Sequence, residues 1–244
     1  MSMIQQYRDE LLKILDQAFS AQEEALERAA GAVADALARG GTVYTFGTGH
    51  GHLLALELFY RAGGLARVCP MLDERLMLHR SASASTDWER RSGLARELIA
   101  HHPVTERDVL IIISNSGRNA VPVELAAEAR ARGTTVIALT SLRHTQAVLA
   151  RNPLGLRLFE TADIVLDNGG ELGDAVCTMA SGHRTGPTST AVGAALLQAV
   201  VCRAVEKLEA LGVEPECFVS SNVDGGDEIN RSLIARYKPL IDSL

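Results

Sequence analysis

No block of basic residues appears anywhere in this chain of 244 residues, whose formal net charge is −6. That argues against nucleic acid or an anionic membrane as the main partner. No C-x-x-C pair joins any two of Cys69, Cys177, Cys202 and Cys217. Widely spaced cysteines of this kind read as free thiols in a reducing cytoplasm. The opening "MSMIQQYRDELLKIL" lacks the basic segment and apolar block of a signal peptide. The longest apolar stretch, "AVGAALLQAVVC", is about half the length a bilayer span requires. A cytoplasmic protein with no membrane partner is expected. Neither an internal repeat nor a linker divides it, so residues 1–244 read as one domain.

What is present is apolar residue in an alternating pattern. The hydrophobic fraction is 47% and the charged fraction 22%, enough for a sizeable core without a disordered class of composition. Ile4, Tyr7, Leu11, Leu15 and Phe19 recur at three- and four-residue steps, and the helical pattern runs on through Val33 and Leu37 to Gly40-Gly41. Segments 43–46, 67–71, 109–113, 135–139 and 164–166 then read as strands. Segments 52–62, 87–102, 121–132, 144–151 and 189–211 read as helices. "VLIII" is apolar on both faces, as a central parallel strand is. The expectation is an α/β fold, a three-layer, doubly wound, flavodoxin-like parallel sheet of five strands. A helical extension (1–40) precedes the core (41–211), and a turn and helix (212–244) follow it. Ligands bind such sheets outside the carboxyl ends of the strands. "RSASASTD" at 80–87 reads as a polar loop, and the apolar stripe of the tail helix must pack on its own core or on a second subunit.

Three loops share one chemistry. "FGTGHGH" places Gly47, Thr48, Gly49, His50 and His52 between a strand and a helix. It is not a dinucleotide fingerprint, because His52 stands where the third glycine belongs, and no Lys-Ser/Thr pair makes it a Walker loop. "SNSGRN" offers Ser114, Asn115, Ser116, Gly117 and Asn119 ahead of a helix with Pro122 in its first turn. "GPTST" crowds Thr188, Ser189 and Thr190 at the start of the longest apolar helix, where capping needs one hydroxyl. Hydroxyls and free N–H groups at helix starts hold phosphate through neutral donors, which suits an acidic protein.

These segments carry a likeness. "ISNSGRNAVPVELAAEARARGTTVIALTS", "GTGHGHLLALELFYRAGGL" and "GPTSTAVGAALLQAV" resemble the serine loop, first loop and third segment of sugar isomerase (SIS) domains. The tail "NVDGGDEINRSLIARYK" is similar to that of a bacterial branch of phosphoheptose-isomerase-like proteins. The resemblance implies a phosphorylated sugar as ligand, with Ser114, Ser116, Thr188, Ser189 and Thr190 on its phosphate. It also implies a homodimer or homotetramer with sites shared between subunits. Where phosphoheptose isomerases carry a catalytic histidine on the helix after the third loop, this chain has Gln198.

An enzyme of this type needs a base for the proton at C2 and a group that assists ring opening. Glu57 is the candidate base, with an exposed pair to Arg61 at i+4 as the alternative. His50 and His52, at a helix start whose field disfavours the imidazolium, are candidates for ring opening. An H-x-H pair has chelating reach, but no fourth ligand is evident, so no metal and no cofactor is expected. Glu228 is a further catalytic candidate in a segment that also reads as a turn and cap. Asp167, Asn168, Glu171 and Asp174 sit just past the last strand, hence on the ligand edge of the sheet, where surface-loop acids are the alternative; Asp174 joins Glu228 as the next candidate base after Glu57. His79, His101, His102, His144 and His183 read as surface or capping residues, and Trp88 as a packing anchor. Aldose–ketose isomerisation through an enediol is the expected reaction. A lyase or dehydratase acting on an N-acetylated amino-sugar phosphate and a non-catalytic phosphosugar sensor are the alternatives.

Overall fold

Five short apolar segments pair side by side in parallel, and everything else is hung on that sheet. In the computed structural model, which describes residues 2–244, two helices come first, α1 (Met3–Ala21) and α2 (Glu23–Ala38). Then follow β1 (Val43–Gly47), α3 (Gly51–Glu57), β2 (Val68–Pro70), α4 (Ala82–Glu89), α5 (Leu94–His101) and β3 (Val109–Ile113). The chain continues through α6 (Ala120–Ala131), β4 (Thr135–Thr140), α7 (Leu142–Gln146), α8 (Leu158–Thr161) and β5 (Ile164–Asp167). A two-residue hairpin, β6 (Cys177–Thr178) and β7 (Arg184–Thr185), precedes α9 (Ser189–Ala210) and α10 (Gly226–Tyr237).

The sheet order is β2-β1-β3-β4-β5, all parallel. The chain therefore reverses its direction of winding between β1 and β3, and ligand crevices open at the carboxyl ends of strands at such a point. Alternation along β3 splits the core into two layers. Val109, Ile111 and Ile113 face α1, α2 and α9, and Leu110 and Ile112 face α5, α6 and α10. Each of these five side chains is buried and carries a few kcal/mol of hydrophobic stabilisation.

The five strands lie where the sequence puts them, within a residue or two; several helices do not. The opening helix is two, broken at Gln22. That amide accepts from the Asp167 backbone N–H at 2.6 Å and donates to the Asp167 carbonyl, clamping the helix junction to the end of β5. The segment read as a loop at 80–87 is largely α4, because Ser81 caps it by accepting from the Ala84 N–H. Its far end is anchored by Trp88, with the Arg91 and Arg75 guanidinium carbons 3.9 and 5.0 Å from the ring centroid. The single helix expected at 87–102 is interrupted by Gly93 (φ +90°), whose N–H, with the Ser92 hydroxyl, is held by Glu124. The helix expected at 52–62 ends at Glu57. Tyr60 adopts φ +46° and packs edge-on to Phe218, and the Gly63 N–H bonds the Phe218 carbonyl at 2.7 Å. The helix expected at 144–151 is the short α7, since Arg151 leaves to pair its N–H with the Arg118 carbonyl. The apolar stripe of α10 packs on its own chain through Leu233 and Tyr237, while Ile229 stays exposed.

No helix among the described residues is long and apolar enough to cross a membrane.

Candidate functional site

A cavity of about 370 Å³ opens where β1 and β3 end. The first loop reaches it by folding tightly on itself. A Cβ on Gly47 would lie 2.2 Å from the Gly51 carbonyl oxygen, and one on Gly51 would lie 2.7 Å from the Ile113 carbonyl oxygen. Only glycine lets the turn close and rest against β3. Thr48, Gly49, His50 and Gly51 thereby line one wall.

The serine loop forms the floor. Ser114 is tied to the sheet by its N–H to the Leu139 carbonyl, and its hydroxyl accepts from the Gly117 N–H at 3.2 Å. Gly117 sits at φ +55°, hemmed in by the Thr140 and Thr145 hydroxyls. This turns the loop so that Ser114, Asn115 and Ser116 face the cavity. The Ser116 side chain has no partner within the protein among the described contacts. Asn115 is fixed from the side by the Asn168 amide at 2.9 Å.

The third segment supplies Pro187, Ser189 and Thr190 at the start of α9. Three of its donors are already engaged, while the Thr188 hydroxyl is not. Asp174 accepts from the Thr188 N–H at 3.1 Å and the Ser189 N–H at 3.0 Å through one carboxylate oxygen, and from the Ser189 hydroxyl through the other.

The described residues leave five buried side-chain polar atoms without a partner: Arg118 Nε, Asn119 Oδ1, His144 Nδ1, Thr145 Oγ1 and Thr188 Oγ1. All five belong to the serine loop, to α7 or to the start of α9, the segments that surround the cavity. An unpaired buried polar group costs about 1–3 kcal/mol, so their concentration at one place marks a site built for something other than stability.

The sequence candidates divide into three sets. Thr48, Gly49, His50, Ser114, Asn115, Ser116, Ser189 and Thr190 line the cavity. Gly47, Gly117, Asn119 and Thr188 stand behind that lining and shape it. His52 turns into the core and is 6% exposed. Burial holds its imidazole below the ordinary value and so neutral, with a hydrogen bond to the Gly47 backbone acting the other way. Glu57 and Glu228 lie outside the cavity. Glu57, the last residue of α3, pairs with Arg61 at 2.8 Å and receives a 3.3 Å bond from the Gln198 amide. That is the alternative the i+4 spacing offered. Glu228 is exposed in the first turn of α10.

Four further polar residues stand on the cavity wall: Asn168 and Asp174, which the sequence places on the ligand edge, and Glu89 and His144, which it does not mark. Glu89 is half-buried and makes no ion pair among the described residues; it arrives on α4, which Ser81 caps at one end and Trp88 anchors at the other. His144 is placed by Ser141, which caps α7 and accepts from the His144 N–H at 3.0 Å. Burial lowers the His144 pKa, Asp174 opposes that shift and Arg118 adds to it. Asn168 and Asp174 follow β5, on the ligand edge of the sheet where the sequence puts them. The lining carries two carboxylates and no lysine or arginine. Among the described residues no group of three or more metal-ligating side chains comes together.

A SIS domain family model matches residues 6–141 of the chain. A UPF0309 protein of Halalkalibacterium halodurans is 45% identical over 226 residues, covering 92% of this chain and 93% of that one. Among solved structures, the phosphoheptose isomerase GmhA of Neisseria gonorrhoeae superposes with a TM-score of 0.56 at 16% identity, over 83% of this chain and 97% of that chain. The Vibrio vulnificus NanR protein, complexed with ManNAc-6P, superposes with a TM-score of 0.50 at 17% identity, over 98% of this chain and 70% of that chain.

Proposed function

Because the chain belongs to the SIS domain family, we propose that its cavity binds a phosphorylated sugar and interconverts aldose and ketose through an enediol. The observation that carries this reading is the serine loop. The Ser116 hydroxyl, with no partner among the described residues, faces the cavity beside the unpartnered His144 Nδ1, and the other unpartnered buried atoms lie in the segments behind that lining. Hydrogen bonds to a phosphate from such donors contribute about 1.5–3 kcal/mol each.

The chemistry then follows from the wall residues. We assign the base to Glu89, the cavity carboxylate that makes no ion pair, in place of Glu57, which Arg61 already holds. Glu89 takes the proton from C2 as the electron pair forms the enediol, and returns it to C1 as the carbonyl moves to C2. A neutral imidazole moves the proton between O1 and O2. His144, kept neutral by burial, and His50, at the mouth, are the two on the wall.

Elimination from an N-acetylated amino-sugar phosphate begins with the same C2 deprotonation, and the product alone separates the two reactions. The exposed Leu53 and Leu56 on α3, beside the cavity, are assigned to contact with a second copy of the chain. Calorimetry of hexose and heptose phosphates against the free sugars, with NMR of the products, tests the reading. Equal affinity for phosphorylated and free sugars contradicts it.

A further inference from the structure

The Thr188 and Ser189 N–H groups and the Ser189 hydroxyl are among the donors that the resemblance assigns to phosphate, yet the protein fills these three itself. Both N–H bonds and the Ser189 hydroxyl end on the Asp174 carboxylate. A carboxylate and a phosphate dianion repel, and they cannot share the same three donors.

Nor is Asp174 free to swing away. The Asp174 N–H bonds the Glu171 carbonyl at 2.8 Å, and Glu171 is ion-paired with Arg143. Upstream, the Ser141 hydroxyl holds the Gly170 carbonyl at 2.6 Å, and the Gly170 N–H bonds Asn168 at 2.9 Å. Asn168 in turn is tied to Asn115 on the cavity floor. Asp174 itself adopts φ +52°, a conformation that costs most side chains but that Asp and Asn tolerate. The segment is pinned at every second residue, so the carboxylate is a fixed part of the wall.

An ionised carboxylate has about four acceptor positions. Three are taken from behind, and Asp174 still lines the cavity. Its remaining capacity faces the ligand and accepts only from a donor. No lysine or arginine lines the cavity to neutralise that charge.

We propose that Asp174 is a specificity-determining residue: it reads a hydrogen-bond donor, hydroxyl or ammonium, on the sugar end of the ligand and leaves phosphate to the Ser114–Gly117 loop. The assignment rests on the phosphosugar reading, and it gives the ligand a direction in the cavity. The phosphate lies at the end of β3 and the donor-bearing carbons lie toward α9.

Asp174→Asn keeps the shape, the tolerated backbone conformation and an oxygen for the two N–H groups, and removes the charge. Titrated by calorimetry, the variant should bind inorganic phosphate within about twofold of wild type. It should bind glucose 6-phosphate and glucosamine 6-phosphate at least about tenfold more weakly. A larger loss for the amine identifies ammonium as the donor read, and an equal loss identifies a hydroxyl. Tighter binding of inorganic phosphate by the variant overturns the assignment, since Asp174 would then have been competing for the phosphate seat. Unchanged affinity for both sugar phosphates also overturns it, and leaves Asp174 a helix cap. A measurement on wild type needs no variant. Inorganic phosphate should shift the backbone amide resonances of Ser116 and Gly117 and leave those of Thr188 and Ser189 in place. Larger shifts at Thr188 and Ser189 contradict the proposal while leaving the phosphosugar reading intact. Wild type that binds neither inorganic phosphate nor any hexose phosphate brings down both.

Discussion

Asn168 donates through its side-chain amide to the Asn115 side-chain oxygen Oδ1 at 2.9 Å, joining the end of β5 to the serine loop at the end of β3. The same Asn168 accepts from the Gly170 N–H at 2.9 Å and is only 3% exposed. Asn168→Ala leaves the buried Gly170 N–H without its partner and frees the Asn115 side chain at the cavity floor. It should cost about 2 kcal/mol and lower Tm by about 4–8 °C in a chain of this size. Thermal unfolding followed by circular dichroism checks this, and an unchanged Tm contradicts it.

The floor of the cavity separates binding from folding. Ser114 is committed to the Gly117 N–H, whereas Ser116 makes no bond within the protein. Ser116→Ala should therefore leave Tm unaltered and weaken hexose 6-phosphate binding by about 1.5–3 kcal/mol, with no effect on the free hexose. Calorimetry reads both affinities. A parallel loss of stability would make Ser116 a structural residue.

Three histidines give the protein an acid-side weakness. Burial is the leading cause that holds His52, His102 and His144 below the ordinary imidazole value. Above that value, about 6.5, both folded and unfolded forms are neutral. As the pH falls through it, the unfolded chain takes up protons that the folded chain still refuses, so stability falls. The fall continues down to the depressed folded values. The carboxylates held low by their partners, such as Glu27 and Asp73, act only at lower pH. Tm should thus drop between pH 7.5 and pH 5.5, and His144→Gln should reduce that drop. A Tm that is flat or rises over this interval is the contrary result.

Exposed apolar residues set the expectation for assembly. Leu53 on α3 and Tyr60 beyond its end are each 50% exposed, and Ile4 and Leu12 on α1 are 83% and 56% exposed. Light scattering at micromolar concentration should report at least a dimer, and Leu53→Glu should lower the mass. A monomeric wild type would remove the second-copy assignment.

The frame and the loops were legible because their signals are local. "VLIII" declares a buried strand by composition alone, and Gly47, Gly51 and Gly117 mark turns that only glycine makes. The residues that were missed depend on distant partners. Helix α1 ends because Gln22 binds Asp167, nearly 150 positions away, and Glu89 enters the cavity because Trp88 is held between two arginines. Asp174 was legible as a ligand-edge acid, but not its hold on the α9 N–H groups, which comes from residues 14 and 15 positions on. The pairing of Glu57 with Arg61 is readable from its i+4 spacing.

The proton at C2 tests the account most directly. In heavy water, wild-type protein incubated with its sugar phosphate should exchange that proton for deuterium, as NMR of the substrate pool reports. Glu89→Gln keeps size and hydrogen bonding but removes the base, so exchange should fall at least about 100-fold with binding changed by less than about 1 kcal/mol. Glu57→Gln, which breaks only the half-exposed Arg61 pair, should exchange within about threefold of wild type and lose at most about 1 kcal/mol of stability. Exchange that survives in folded Glu89→Gln and disappears in Glu57→Gln would return the base to α3, and no exchange in any of the three proteins would mean that the cavity binds its sugar phosphate without acting on it.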